Sequence, residues 1–317
     1  MELFLSHQSA LEYWRIHRLI PSRKAQRRCR AELPCKTLDL SLRSIPELSL
    51  PIHVLVADKK ARRPSTAFKP HLFRGETPVG CFLFGEGQTI VSSPEFCFLE
   101  MADRLTMIEL IELGFEICGS YSLPTINDPN PPTRGFYTRP PITSTKKIRV
   151  LVDKMTGAKG RQKALRALGF LQDNSASPME TKLMMILILP YRLGGFGFPI
   201  PEMNKQITPH KAARRSTSKT YFNCDLFWPD FKLAVEYDSD TYHSGPEQIA
   251  SDSIRRNTLS MLKVKVITVT NQQLRSTIEL RSIAQSIANQ MGRRLRVTRN
   301  SEFETTHRLL RESLLKP

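Results

Sequence analysis

The chain lacks the features that mark secreted and membrane proteins. Its 317 residues include six cysteines and no CxxC pair, which favours reduced thiols over a disulfide framework. A zinc site formed by Cys29, Cys35 and His53 is conceivable, but the spacing matches no common zinc motif. The longest apolar run, 183–189, is far shorter than the roughly 18 residues of a membrane span, and 1–5 is too short for a signal peptide. We therefore expect a cytoplasmic protein without a membrane partner.

Acidic residues are scarce relative to basic ones. The chain has 47 Lys and Arg against 30 Asp and Glu, a formal net charge of +17, and its 40% hydrophobic and 8% aromatic residues are typical of a folded globular protein. A surface this basic attracts polyanions, of which nucleic acid is the commonest in a cell. The chain has no RRM-type aromatic motif, and its charge does not discriminate DNA from RNA.

The length favours two domains, and a proline-rich segment indicates where they join. Six prolines lie within 121–147, a composition that opposes helices and central strands. We predict an α/β protein divided into a smaller mixed α/β N-terminal domain, a linker, a second α/β domain and a tail, at 1–120, 121–147, 148–300 and 301–317. Ser93 before a proline, and Thr106 three residues before a glutamate, predict two helix starts in the first domain. We assign no chemistry to that domain.

Basic residues are concentrated in two runs. The run 139–166 has nine Lys or Arg and a single acid. The run 205–219 has five cations and no acid, and it includes Lys211, Arg214 and Arg215. A phosphate backbone complements such runs. We therefore predict that they contact nucleic acid on either side of one site.

A helix start precedes the most informative part of the chain. Ser177 is an N-cap, Pro178 takes the first helical position and Glu180 the third, just before an apolar run. Glu180 could act only as a capping residue, or its carboxylate could belong to a site formed with later residues. The helix by itself leaves both alternatives open.

Two strand-like runs, 221–228 and 232–237, are joined by a Pro-Asp turn and predict an antiparallel hairpin. Asp225 then pairs within about two residues of Glu236, and opposed Cβ atoms lie roughly 4.5 to 5.5 Å apart. The period of two places Asp238 on the face of Glu236. These acids could simply be solvated. Crowded carboxylates, however, repel unless a cation lies among them, so we predict Mg²⁺ or Mn²⁺ at Asp225 and Glu236.

Further polar residues follow the hairpin. His243 could transfer a proton near such a metal, although a lone histidine is often structural. Arg255 lies on one helical face with Asp252 and could pair with it at the surface. It could equally bind a phosphate together with Arg256. The sequence does not separate these alternatives.

Taken together, these motifs resemble a bacterial endonuclease-like domain related to the very-short-patch repair endonucleases, within the PD-(D/E)xK nuclease superfamily. In chain order the matching segments are 177–180, Asp225, 234–239, 242–243, Asp252 with Arg255, and 266–270. The resemblance covers residues 160–290 and implies a restriction-endonuclease-like mixed sheet flanked by helices, which cuts DNA with Mg²⁺. Lys263 stands where relatives usually have a helix-ending glycine.

The resemblance also implies a role for each site residue. Glu180 matches the helix glutamate, Asp225 the first metal ligand and Glu236 the second, and His243 matches a histidine of the repair branch. The superfamily lysine is missing, because Asp238 stands in its place. We expect His243 to replace it as acid or base, with Asp238 supporting the site.

Three hypotheses follow for the function. The first is a Mg²⁺-dependent DNA endonuclease or nickase that acts in defence against foreign DNA or in repair. The second is a DNA-binding regulator or antitoxin-like protein whose nuclease fold is catalytically inactive. The third is that RNA replaces DNA as the substrate. A homo-oligomer or a toxin partner is compatible with each of them.

Overall fold

The computed structural model describes residues 3–17, 28–29, 33, 48–61, 65–85, 89–209, 219–238, 246–295 and 301–315. The chain divides into two compact units, Met1–Asp173 and Asn174–Pro317, and each combines helices with a mixed sheet. Among the residues in these ranges, no helix is long and apolar enough to cross a membrane.

The first unit contains a six-stranded mixed sheet. Its strands are β1 Leu3–Leu5, β2 Arg28–Cys29, β3 Ile52–Val56, β4 Phe68–Leu72, β5 Phe82–Phe84 and β6 Thr89–Ser92. They lie in the order β2-β5-β6-β1-β3-β4, with parallel pairing between β1 and β6 and between β3 and β4. Two short strands, β7 Tyr121–Ser122 and β8 Tyr137–Thr138, form a separate antiparallel pair.

One buried helix organises the helical layer of this unit. Its helices are α1 His7–Ile16, α2 Pro94–Ala102, α3 Met107–Cys118, α4 Thr145–Lys154 and α5 Arg161–Leu168. Every residue of α2 is buried, and the other four helices contact it. Both predicted helix starts are confirmed, because Ser93 caps α2 and Thr106 forms a capping box at the start of α3.

The compact units divide after Asp173, beyond the proline-rich segment in which the sequence placed the change of domain. The reason is that α4 and α5 pack on α2 and on each other. The apolar residues Ile148, Leu151 and Val152 of α4 are buried there. The amphipathic pattern of a helix indicates that one face is buried, but it does not indicate which helix covers that face.

The second unit contains a four-stranded mixed sheet. Its strands are β9 Glu202–Ile207, β10 Phe222–Trp228, β11 Leu233–Asp238 and β12 Lys265–Thr270, and its helices are α6 Pro178–Ile188, α7 Pro246–Met261, α8 Asn271–Arg275, α9 Thr277–Gln290 and α10 Ser301–Leu314. Strand β10 pairs antiparallel with both β9 and β11, and the edge strand β12 pairs parallel with β11. The parallel pair needs a crossover, which α7 provides.

The predicted hairpin is confirmed as β10 and β11, which pair around a 3₁₀ turn at Pro229–Phe231. Helix α7 covers one face of this hairpin. There Phe222, Cys224 and Ala234 form a buried cluster with Leu259 of α7. This packing fixes α7 next to the strands that carry the acidic residues.

Helix α7 ends in a tight turn at Lys263. The Lys263 N–H donates to the Ser260 carbonyl and the Val264 N–H to the Leu259 carbonyl, and Lys263 adopts a φ of 58°. This left-handed conformation favours glycine, because a Cβ atom crowds the backbone there.

We predict that Lys263→Gly stabilises the protein by about 0.5 to 1 kcal/mol, since it removes this crowding at an exposed position. Chemical denaturation of both proteins would measure the difference. Lys263→Ala retains the Cβ atom and is the matched control, which should stay within about 0.3 kcal/mol of the wild type. A glycine variant no more stable than the alanine variant would contradict this account.

Candidate active site

Three predicted site carboxylates come from α6, β10 and β11 of the second unit. Glu180 lies in the first turn of α6, and Asp225 and Glu236 lie in the hairpin. The last regular pair of β10 and β11 joins Leu226 to Val235. One residue further in the same register, Asp225 lies opposite Glu236. The hairpin therefore brings the two predicted metal ligands to the same level on neighbouring strands.

Glu180 is a buried carboxylate with an interaction that a capping box does not explain. Its N–H donates to the Ser177 hydroxyl at 3.2 Å, as the N-cap pattern predicted. Its carboxylate, however, accepts the Ala176 N–H at 3.0 Å and the Asn204 side-chain amide at 2.7 Å. Burial raises the pKa of Glu180 even though these hydrogen bonds favour the ionised form. The side chain is thus tied to β9 as well as to the start of α6.

Asp225 is the most strongly perturbed carboxyl group of the three. Burial, the charge of Glu180 and the charge of Glu236 raise its pKa to about 7, and the Tyr237 N–H and Arg255 oppose the shift. The Tyr237 N–H donates to the Asp225 carboxylate at 2.8 Å, beyond the last regular pair of the hairpin. The opposing effects of Tyr237 and Arg255 do not offset burial and the two neighbouring charges among the described residues.

Among the described residues, Glu236 is the carboxylate of the three that pairs directly with a cation. The Arg255 guanidinium donates to the Glu236 carboxylate and to the Asn223 carbonyl. Burial disfavours the charged guanidinium, but the hydrogen bond and charge of Glu236 outweigh it and raise the pKa of Arg255. Burial and the adjacent Glu236 also raise the pKa of the Cys224 thiol to about 12, so this cysteine is an inert part of the core.

The remaining predicted residues contribute differently. Asp238 is exposed at the end of β11, and Arg256 is exposed on α7. His243 and the cations Lys211, Arg214 and Arg215 lie outside the described residues, so their predicted roles stay predictions. Of the two predicted cations that the structure describes, Arg255 contacts a site carboxylate and Arg256 is exposed.

Asn204 is a site residue that the sequence reasoning missed. It lies in β9 with a left-handed φ of 47°, and the β9–β10 register sets it opposite Asp225. Its side-chain amide donates to Glu180 at 2.7 Å and to the Asn174 carbonyl at 2.9 Å. Asparagine tolerates this backbone conformation better than most residues. No spacing rule in the sequence could link it to Glu180, because the contact joins two separate elements.

Asp225 and Glu236 are the predicted ligands of a divalent ion. Within the described residues, no group of three or more His, Cys, Asp or Glu side chains is arranged to hold a metal. Mg²⁺, however, commonly uses one or two carboxylates together with water and substrate phosphate oxygens. The raised pKa of Asp225 indicates a carboxyl group that an added cation would ionise. Asp225 and Glu236 would supply two carboxylates to such an ion, and their role as ligands stays a prediction.

Comparison with known proteins leaves the family open. No protein-family model matches the chain, and no solved structure matches it. Two curated proteins of Mycobacterium tuberculosis, from strains CDC 1551 / Oshkosh and ATCC 25618 / H37Rv, are each 27% identical over 124 residues and are both described as uncharacterized. The match covers 39% of this chain and 41% of each relative, so the chain spans about two fifths of their length.

The pKa of Asp225 predicts how stability changes with pH. Folding raises this pKa from 3.8 to about 7. The free energy of unfolding therefore falls as pH rises between these two values, because ionised Asp225 is unfavourable in the folded state, and it falls no further above the folded-state pKa. In EDTA, we expect Asp225→Asn to raise the free energy of unfolding at pH 8 by on the order of 2 kcal/mol, and at pH 4 to leave it nearly unchanged. Urea denaturation at the two pH values would measure both.

Asp238→Asn is the matched control, because it makes the same change at an exposed position of the hairpin. It should shift the free energy of unfolding by less than about 0.5 kcal/mol at either pH. If Asp225→Asn changed the free energy of unfolding equally at pH 8 and pH 4, the pKa of Asp225 would not be raised by folding.

Proposed function

We propose that the second unit is a restriction-endonuclease-like domain that acts as a Mg²⁺-dependent DNA endonuclease or nickase. The observation that carries the proposal is the convergence of Glu180, Asp225 and Glu236 on one group of strands and one helix start, with the pKa of Asp225 raised to about 7. Perturbed carboxyl groups that crowd together are typical of sites built for a cation. A mixed four-stranded sheet with helices before and after it agrees with such a fold.

Each residue has a role in this proposal. Asp225 and Glu236 would hold the ion, and Glu180, hydrogen-bonded by Asn204, supplies negative charge beside Asp225. His243 accepts a proton from the attacking water or returns one to the leaving oxygen. Bound Mg²⁺ would supply the positive charge that polarises the scissile phosphodiester.

The proposed reaction adds water across a phosphorus–oxygen bond. The water oxygen bonds to phosphorus, the bond to the leaving oxygen breaks, and that oxygen ends protonated. In this proposal Arg255, which pairs with Glu236 in the structure, binds a phosphate of the substrate. The excess of basic residues, including Arg256, Lys211, Arg214 and Arg215, holds the phosphate backbone on either side.

A second candidate function is a DNA-binding regulator with an inactive nuclease fold. Two observations favour it: Asp238 stands where the superfamily has its lysine, and Arg255 already neutralises Glu236. A guanidinium in that position competes with a metal ion for the same oxygen atoms. This candidate binds DNA in a salt-sensitive manner without cutting it. Its biological setting could be defence, repair or an antitoxin-like role, and the protein would act in the cytoplasm.

We predict that the wild-type protein nicks or linearises supercoiled plasmid in Mg²⁺ or Mn²⁺, and that Asp225→Asn and Glu236→Gln each lower the rate at least about 100-fold, because a lost ligand removes several kcal/mol of transition-state stabilisation. Asp230→Asn is the matched control, since Asp230 is an exposed carboxylate in the turn of the same hairpin. It should cut at the wild-type rate. Equal cutting by all four proteins would remove the proposed site.

The regulator makes a different prediction for the same four proteins. If the protein is a regulator, none of the four cuts plasmid DNA, and all of them bind duplex DNA in EDTA. The logarithm of the binding constant then falls by about 0.9 per neutralised phosphate for each tenfold rise in salt concentration. Electrophoretic mobility shifts across a salt series would measure this slope. Competition among duplex DNA, single-stranded DNA and RNA identifies the preferred nucleic acid. Preference for RNA would replace DNA as the proposed partner.

A further inference from the structure

The first unit contains a cavity of about 730 Å³ that the proposed nuclease does not use. Its volume lies within the roughly 300 to 1,000 Å³ that is usual for small-molecule sites. Part of its wall is apolar and includes Leu55, Phe73, Phe96 and Leu99. Phe73 and Phe96 pack edge to face with 5.5 Å between ring centroids. The cavity therefore offers an aromatic surface against which a flat organic group can pack.

Five basic side chains also line this cavity. They are Lys59, Arg74, Arg104, Lys154 and Lys159. Among the described residues, no ion pair joins any of the five to a carboxylate. Lys154 and Lys159 belong to the basic run 139–166, which the sequence predicts to contact nucleic acid. The structure places part of that run around a concave site.

The acidic residues of the cavity do not balance these charges. Glu76, Glu100 and Asp103 are the carboxyl groups in its lining. Burial raises the pKa of Glu100 to about 8, against hydrogen bonds from the His7 N–H and the Ser92 hydroxyl that favour ionisation. Glu100 is therefore mostly neutral at pH 7, and the cavity retains an excess of positive charge.

A histidine network holds one of the cations in place. Arg104 lies 3.1 Å from His71 Nδ1, and a guanidinium can only donate, so Nδ1 accepts. Neutral His71 then carries its proton on Nε2, which lies 3.2 Å from His53 Nδ1. The His7 ring stacks on His71 at 3.8 Å between centroids, and His7 has a strained φ of 46°. Backbone strain of this kind is often kept at functional sites.

These histidines do not add to the charge of the cavity. Burial lowers the pKa of His7 to about 2, and His71, His53 and Arg104 add to this shift. Burial also lowers the pKa of His53. At neutral pH, His7 and His53 therefore serve as neutral stacking and hydrogen-bonding groups. The positive charge among the described lining residues therefore comes from lysines and arginines rather than from His7.

We propose that this cavity binds a phosphorylated small molecule of nucleotide size. The phosphate is held by Arg74, Arg104 and Lys159, and the organic part packs on Phe73 in the apolar wall. Lysine and arginine are the usual phosphate ligands, and arginine binds phosphate through paired hydrogen bonds. A concave site of limited volume fits a small ligand better than it fits a continuous nucleic acid backbone.

Isothermal titration calorimetry of the full chain with ATP tests this inference, in EDTA so that a metal in the second unit cannot hold the nucleotide. We expect one ATP per chain, and adenosine binding at least about 100-fold more weakly because it lacks the charged phosphates. Arg74→Gln and Lys159→Gln should each weaken ATP binding about 5- to 10-fold. Arg149→Gln is the matched control, exposed on α4 and outside the cavity lining, and should bind as the wild type does.

Several outcomes would overturn the inference. These are the absence of heat with millimolar ATP, equal affinity for adenosine, or wild-type affinity in both cavity variants. If a short DNA duplex displaced ATP, and both cavity variants weakened DNA binding as much as ATP binding, these cations would belong to a nucleic acid site instead. Loss of ATP binding in Asp225→Asn would place the nucleotide in the second unit. The nuclease proposal does not depend on any of these results.

Discussion

The burial of negative charge within a strongly basic chain is the constraint on which the second unit depends. Glu180, Asp225 and Glu236 come from three elements whose packing is set by apolar residues, so the carboxylates are held together whether or not their charges are balanced. Burial and mutual repulsion then raise the pKa of Asp225 to about 7. The apolar core of the unit therefore sustains an electrostatically unfavourable cluster, which is the usual arrangement at a site that binds a cation.

Arg255 and Asn204 determine how this cluster is tolerated in the folded chain. Arg255 neutralises Glu236 directly, while Asn204 donates a neutral hydrogen bond to Glu180 and leaves its charge in place. Asp225 accepts a main-chain N–H from Tyr237, and among the described residues no cation pairs with it directly.

The first unit contains the opposite imbalance. There, cations from several segments surround a cavity in which Glu100 is largely neutral at pH 7, and Arg104 contacts His71 Nδ1. A phosphate group would relieve the repulsion among these cations, as a divalent ion would relieve that among the carboxylates of the second unit. In each unit, packing brings groups of like charge together.

The sequence by itself determined the local structure and part of the site. The helix starts at Ser93 and Thr106 and the hairpin that carries Asp225 and Glu236 could be predicted, because caps, turns and the period of two depend on neighbouring residues. The tertiary structure decided the rest. It assigned α4 and α5 to the first unit, joined Asn204 to Glu180, paired Arg255 with Glu236, and gathered the cavity cations, because contacts between distant segments depend on packing that no local pattern encodes.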